Sequence, residues 1–246
     1  ALFCHDQRKH FALLLAREYS IAPLGTVSRM LTLSTTVCTS SLAMSSLLQH
    51  SPFDAIFFDM DGLTINSEPQ WLEAEIELTA PYGYQWGRED QAFCLGGPLS
   101  KVGQYMSEVT GGSQDGESFR LAIIDLMIAK VSTKAEFMPG ATDLINNLSI
   151  IGTPLALVSA SPRGIVDAAL KHLQPIPFKA TISSDDVKFT KPDPEGYLKA
   201  AQLLGVNIRN CLILEDSATG VTAARASGAK VIAVPHLVRI ESDFQT

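Results

Sequence analysis

Asp59 and Asp61 close an apolar run in the stretch FFDMDGLTINSE. Residues two apart on a strand face the same way. Carboxylates placed so at the edge of a core repel each other unless a cation or a shared proton relieves them. An Asp-Gly turn is the alternative reading of the same residues. Farther along, Ser159-Ala160-Ser161 ends the apolar run TPLALVSA, Lys191 lies in TKPDP, and Glu215-Asp216-Ser217 ends the run NCLILED. Three or four carboxylates gathered in a small volume ask for a divalent cation. Magnesium suits them, because it binds through one or two carboxylates and takes waters and phosphate oxygens as its other ligands. A hydroxyl and an ammonium beside it would hold the remaining phosphate oxygens. Asp59 could then attack phosphorus to give an aspartyl-phosphate, and Asp61 could protonate the leaving oxygen and later deprotonate water. Each residue also has a plainer reading: a strand-end hydroxyl at Ser159, a solvated turn lysine at Lys191, a helix N-cap at 215–217, and a cap at Ser161. Those readings together require four coincidences on one sheet edge.

The elements that must position these groups are legible as alternation. Strand-length apolar runs occur at FDAIFFDM, TPLALVSA, KATISS, NCLILED and AKVIAVP, separated by segments of helical spacing such as PRGIVDAALKHL and PEGYLKAAQLLG. This pattern predicts an α/β fold, a Rossmann-like parallel sheet covered by helices on both faces. Ligands bind such sheets beyond the carboxyl ends of the strands, which is where the polar groups fall. Ser161 before Pro162 reads as a helix N-cap, and Gly228 as a helix stop. From residue 68 to 137 the alternation gives way to helical stretches without a convincing strand. The expected division is therefore an α/β core at 51–67 and 138–246, interrupted by a helical cap at 68–137.

Residues 1–50 differ from the rest. They are rich in Ser, Thr and Leu, with basic residues upstream, a composition similar to an organellar targeting sequence; the alternative is an extension ahead of a start at Met30 or Met44. No function is expected there. The whole chain of 246 residues is 46% hydrophobic, with a formal net charge of −7. That balance disfavours nucleic acid, whose backbone needs a basic stripe. No run reaches the ~18–20 apolar residues of a membrane span. Cys4, Cys38, Cys94 and Cys211 form no CxxC pair, so neither a zinc site nor a disulfide framework is indicated, and a reducing, cytoplasmic setting fits.

In their order and spacing, DMDGLTINSE, LVSAS, TKPDP and LEDSATGV resemble the four motifs of the haloacid dehalogenase-like hydrolase superfamily, over roughly Phe53 to Pro235. The sequence is most similar to the sugar-phosphate phosphatase and beta-phosphoglucomutase-like branch. The resemblance implies Asp59 as nucleophile, Asp61 as acid–base, and Ser159, Ala160 and Lys191 as holders of the phosphoryl group. It also implies Mg2+ held by the Asp59 side chain, the Asp61 carbonyl and Asp216, with Glu215 acting through water. The expected partner is a small phosphorylated metabolite, met by a monomer. Trp71 stands where the mutases of this branch carry a histidine, and LGGPLS where they carry a cap-loop arginine; both departures favour hydrolysis of a sugar or polyol phosphate over mutase action. A phospho-acceptor signalling domain is the reading from another class, but its acidic pair is adjacent and it has no comparable insertion. Glu68, Trp71 and Glu75 are expected near the leaving group, with Arg163 either at a distal part of the substrate or on the surface. The family continues with one more strand and helix beyond the point where this chain ends at Thr246, which implies a shortened form.

Overall fold

Short strands of large apolar residues form the middle of the molecule. In the computed structural model, residues 51–95 and 97–234 are described. The targeting-like extension at 1–50 and the chain end from 235 lie outside the described residues. The elements run β1 (Ile56–Phe58), α1 (Glu68–Thr79), α2 (Arg88–Cys94), α3 (Leu99–Val109), α4 (Gly116–Thr133), α5 (Ala141–Ile150), β2 (Leu155–Val158), α6 (Arg163–Leu170), β3 (Ala180–Ile182), α7 (Glu195–Leu204), β4 (Leu212–Glu215), α8 (Ala218–Ser227) and β5 (Lys230–Ala233). All five strands pair in parallel, in the order β3-β2-β1-β4-β5. β1, which leads into both aspartates, is central, so the ends of β2 and β4 flank it.

Alternation along β1 sorts its side chains between the two faces. Ile56 and Phe58 join one apolar cluster with Leu155, Leu157, Leu212 and Leu214, while Phe57 joins the other with Ala156, Val158, Ile213 and Tyr197. Burying each large apolar side chain contributes about 1.5–3 kcal/mol, so a strand of three residues is held by packing on both faces. Local signals close the helices. Asp115 Oδ1 accepts from Ser118 N at 2.9 Å ahead of α4, a good N-cap. Gly228, at φ 86°, ends α8 as its sequence position suggests.

Four helices, α1 to α4, lie between β1 and β2. Three correspond to the helical stretches legible in the sequence; α2, seven residues long, is too short to show a period. Their apolar faces are continuous with the sheet's own cluster: Phe58, Met60 and Leu63 belong with Met106, Phe119, Ile123, Met127 and Val131. α4 also lies against α6. A Cβ at Gly164 would meet Ile128 Cδ1 at 2.5 Å, and His172 Nε2 lies 2.8 Å from the Val131 carbonyl oxygen. The long helix of the insertion therefore shares the core of the sheet. Among the described residues, no helix is long and apolar enough to cross a membrane.

Candidate active site

The β1 strand stops at Phe58, so Asp59 and Asp61 lie in the turn beyond it. Where each carboxylate points is thus set by the turn and not by the strand period. Asp59 N still donates to Leu214 O at 3.1 Å, and Thr64 Oγ1 donates to Asp59 O at 2.5 Å. Ile65 N returns to Met60 O at 2.9 Å, and Gly62 N to Ile65 O at 2.8 Å. Gly62 makes the turn at φ 83°, and a Cβ there would stand 2.1 Å from Asp216 Oδ2. A side chain at this position would both strain the backbone and push Asp216 away.

Lys191 reaches in from the loop before α7. Its ammonium donates to Asp59 Oδ1 at 2.5 Å, Glu215 Oε1 at 2.6 Å and Val158 O at 2.9 Å. Glu215, fully buried at the end of β4, also accepts the Tyr197 hydroxyl at 2.5 Å. Asp59, Glu215 and Asp216 each offer a carboxylate oxygen, and these oxygens all lie within 4.8 Å of one another. Burial disfavours the charge on Lys191, but Asp59 and Glu215 outweigh it and hold the ammonium's pKa above its ordinary value. Burial raises the Asp59 pKa; Lys191 works against this, while Glu215, Asp216 and Asp61 add to it. Burial and then Glu215 push Asp216 up to about 8. One ammonium is too little positive charge for this cluster. An oxygen-only donor set of this size, short of positive charge, fits a hard divalent cation.

Asp61 has hydroxyls at both carboxylate oxygens. Ser67 Oγ donates to Oδ1 at 2.6 Å; Ser161 Oγ donates to Oδ2 at 2.7 Å, with Ser159 Oγ at 3.3 Å. The N-cap reading of Ser161 is corrected here. α6 begins at Arg163 with Pro162 in the cap position, and the Ser161 hydroxyl is turned inward onto Asp61. Asp59, Asp61, Ala160, Lys191 and Asp216 all line one cavity of about 260 Å³. Ser159 and Glu215 do not line it. They stand behind, where Ser159 Oγ accepts Ser161 N at 2.9 Å.

The far wall comes from α1 to α3. Glu68, Trp71 and Glu75, spaced i, i+3, i+7, share the face of α1 that lines the cavity. Burial and Asp61 push Glu68 up to about 7. Burial also pushes Glu75 to about 7, against the Trp86 Nε1 hydrogen bond of 2.8 Å to its Oε2. Cys94 lines the cavity too, but burial and Glu75 raise its thiol to about 11, which makes it a wall rather than a nucleophile. Arg163 is a structural residue. It donates to Thr181 Oγ1 and Thr181 O, both at 3.0 Å, and pairs with Asp186. Sequence reasoning missed Tyr197, Thr190 and Gln91. Nothing in their types marks them, although Tyr197 follows Lys191 by six residues and the helical pattern would turn it inward.

A family model of haloacid dehalogenase-like hydrolases matches residues 56–234. The chain is 31% identical over 189 residues to hexitol phosphatase B of Escherichia coli, covering 74% of this chain and 83% of that protein. It is 32% identical over 185 residues to the bifunctional riboflavin kinase/FMN phosphatase of Arabidopsis thaliana, covering 74% of this chain, and spans about half (48%) of that longer relative. Among solved structures, CbbY from Rhodobacter sphaeroides in complex with phosphate superposes with a TM-score of 0.67 at 25% identity, over 74% of this chain and 86% of that one.

Proposed function

Since the chain belongs to the haloacid dehalogenase-like hydrolases, we propose that it hydrolyses the phosphate monoester of a small sugar or polyol through an aspartyl-phosphate. The observation that carries this reading is the convergence of Asp59, Lys191, Glu215 and Asp216 on one point at the carboxyl edge of the sheet. Asp59 is the nucleophile. Its free oxygen attacks phosphorus, the bond from phosphorus to the ester oxygen breaks, and Asp61 delivers its proton to that oxygen. In the second half Asp61 takes a proton from water, the water oxygen attacks phosphorus, and Asp59 is released with inorganic phosphate. Ser67 and Ser161 orient the Asp61 carboxylate for both transfers. Lys191 and the 159–161 turn receive the phosphoryl oxygens.

Asp59, Asp216 and the Asp61 carbonyl would hold Mg2+, with Glu215 behind them; when bound, the ion supplies charge neutralisation at the phosphoryl oxygens. Residues 68–137 serve as the cap, with α1 presenting Trp71 to the organic part of the substrate. Hexitol phosphatase B supports a polyol or sugar substrate by its relation to this chain. A screen of phosphate release over hexose, pentose, polyol and glycerol phosphates, with and without Mg2+, tests the reading. Asp59→Asn should abolish release while the thermal transition remains; a variant that still turns over refutes the nucleophile assignment. Rapid multiple turnover also separates this reading from a phospho-acceptor domain, which would accumulate a long-lived phosphorylated state.

A further inference from the structure

We propose that Glu68 and Glu75 make the catalytic cavity selective for phosphate esters whose remaining part is uncharged and rich in hydroxyls, and hostile to substrates bearing a second anionic group. The proposal rests on the phosphatase reading above. Among the described residues that line the cavity, Lys191 is the one cation, against Asp59, Asp61, Glu68, Glu75 and Asp216. It is directed at Asp59, Glu215 and Val158 O, and its charge serves the transferred phosphoryl group, which leaves no lining cation for a second anion. None of the basic side chains of the helical insertion lines the cavity: Arg88 is exposed, and the others have partners elsewhere. Lys101 donates to Phe93 O and lies over the Phe93 ring, Lys130 pairs with Glu73 and Glu77, and Arg120 pairs with Glu117.

Position matters as well as sign. Glu75 lies about 10 Å along α1 from Glu68, so the two carboxyl groups accompany a substrate over the length of a short carbon chain. Above about pH 7 both are ionised, and ionised carboxylates accept and never donate, the complement of a row of hydroxyls. Both have capacity to spare. Glu75 Oε2 takes the Trp86 indole and Oε1 has no partner among the described residues, while Glu68 Oε2 has only a long 3.4 Å contact from Gln91 Nε2. Trp71, between them, offers a ring to the carbon skeleton. A second phosphate or carboxylate would have to stand beside these groups in a partly buried cavity, where like charges a few ångströms apart repel strongly. Such a substrate should lose ~100-fold in kcat/KM. The same repulsion opposes a mutase cycle, which must retain a bisphosphorylated sugar in the cavity.

The test compares kcat/KM at pH 8, with Mg2+, for a hexitol monophosphate, the bisphosphate of the same hexitol and p-nitrophenyl phosphate, in the wild type and in Glu68→Gln and Glu75→Gln. The monophosphate should exceed the bisphosphate by ~100-fold. Each glutamine should move the two KM values in opposite directions, up for the monophosphate and down for the bisphosphate, narrowing the ratio by about tenfold. A generally loosened fold cannot produce opposite shifts. Equal turnover of both hexitol esters by the wild type, or a ratio unchanged in both variants, overturns the inference while leaving the phosphatase reading intact. Failure to release phosphate from any ester, p-nitrophenyl phosphate included, overturns the phosphatase reading and this one with it.

Discussion

Gly220 offers a test in which local and tertiary physics predict opposite signs. It lies in the first turn of α8, where replacing glycine by alanine ordinarily stabilises a helix by about 1 kcal/mol. Here an added Cβ would fall 2.0 Å from Cδ, Oε1 and Oε2 of Glu215. Relief requires moving a fully buried carboxylate that accepts from both Lys191 and Tyr197. Overpacking of this kind costs about 1–3 kcal/mol, and losing one partner of a buried ion pair costs about 3–5 kcal/mol. Displacement sacrifices only part of that pair, so the net loss after the helical gain is about 2–3 kcal/mol. For a protein of this size that lowers Tm by roughly 5–10 °C. Thermal unfolding followed by circular dichroism measures it, with phosphate release assayed in parallel. Gly220→Ala should also reduce kcat/KM at least ~10-fold, because Glu215 positions Lys191. A variant as stable and as active as the wild type would refute the claim that the glycine exists to admit the carboxylate.

Chelation should destabilise the protein, since Asp59, Glu215 and Asp216 then repel with Lys191 alone to relieve them; restoring Mg2+ to about 100 times its Kd should add about 3 kcal/mol, read as a rise in Tm. Glu75→Gln should flatten the pH dependence of stability. A carboxyl held protonated to about pH 7 in the fold but ionising near 4.5 when unfolded makes stability fall as pH rises through that window, by up to about 3 kcal/mol. Urea unfolding in Mg2+ at pH 5 and pH 8 isolates the difference between wild type and variant, and parallel curves would refute it. Tyr197→Phe removes a hydroxyl bonded to a buried carboxylate and should cost about 1.5–3 kcal/mol, measured by the same unfolding. Arg163→Ala should cost about 1–2 kcal/mol by unbinding α6 from β3, while kcat/KM for the best ester stays within about twofold; a larger kinetic effect would return Arg163 to the substrate.

The sequence by itself determined the strand-and-helix alternation, because a strand buried on both faces must be continuously apolar and a covering helix must carry a stripe. It also marked Asp59, Asp61, Lys191, Glu215 and Asp216, since charged groups placed against apolar strand ends are costly unless something uses them. Tertiary structure decided the rest. Only the order β3-β2-β1-β4-β5 puts the ends of β2 and β4 on either side of Asp59. The inward turn of Ser161, the Tyr197 hydroxyl on Glu215 and the close fit of Gly220 and Gly62 against carboxylates depend on contacts across many residues of chain. A hydroxyl or a glycine looks the same in sequence whether it caps a helix or admits a carboxylate. What separates the two is the neighbour that folding brings to it from elsewhere, and local pattern carries no record of that neighbour.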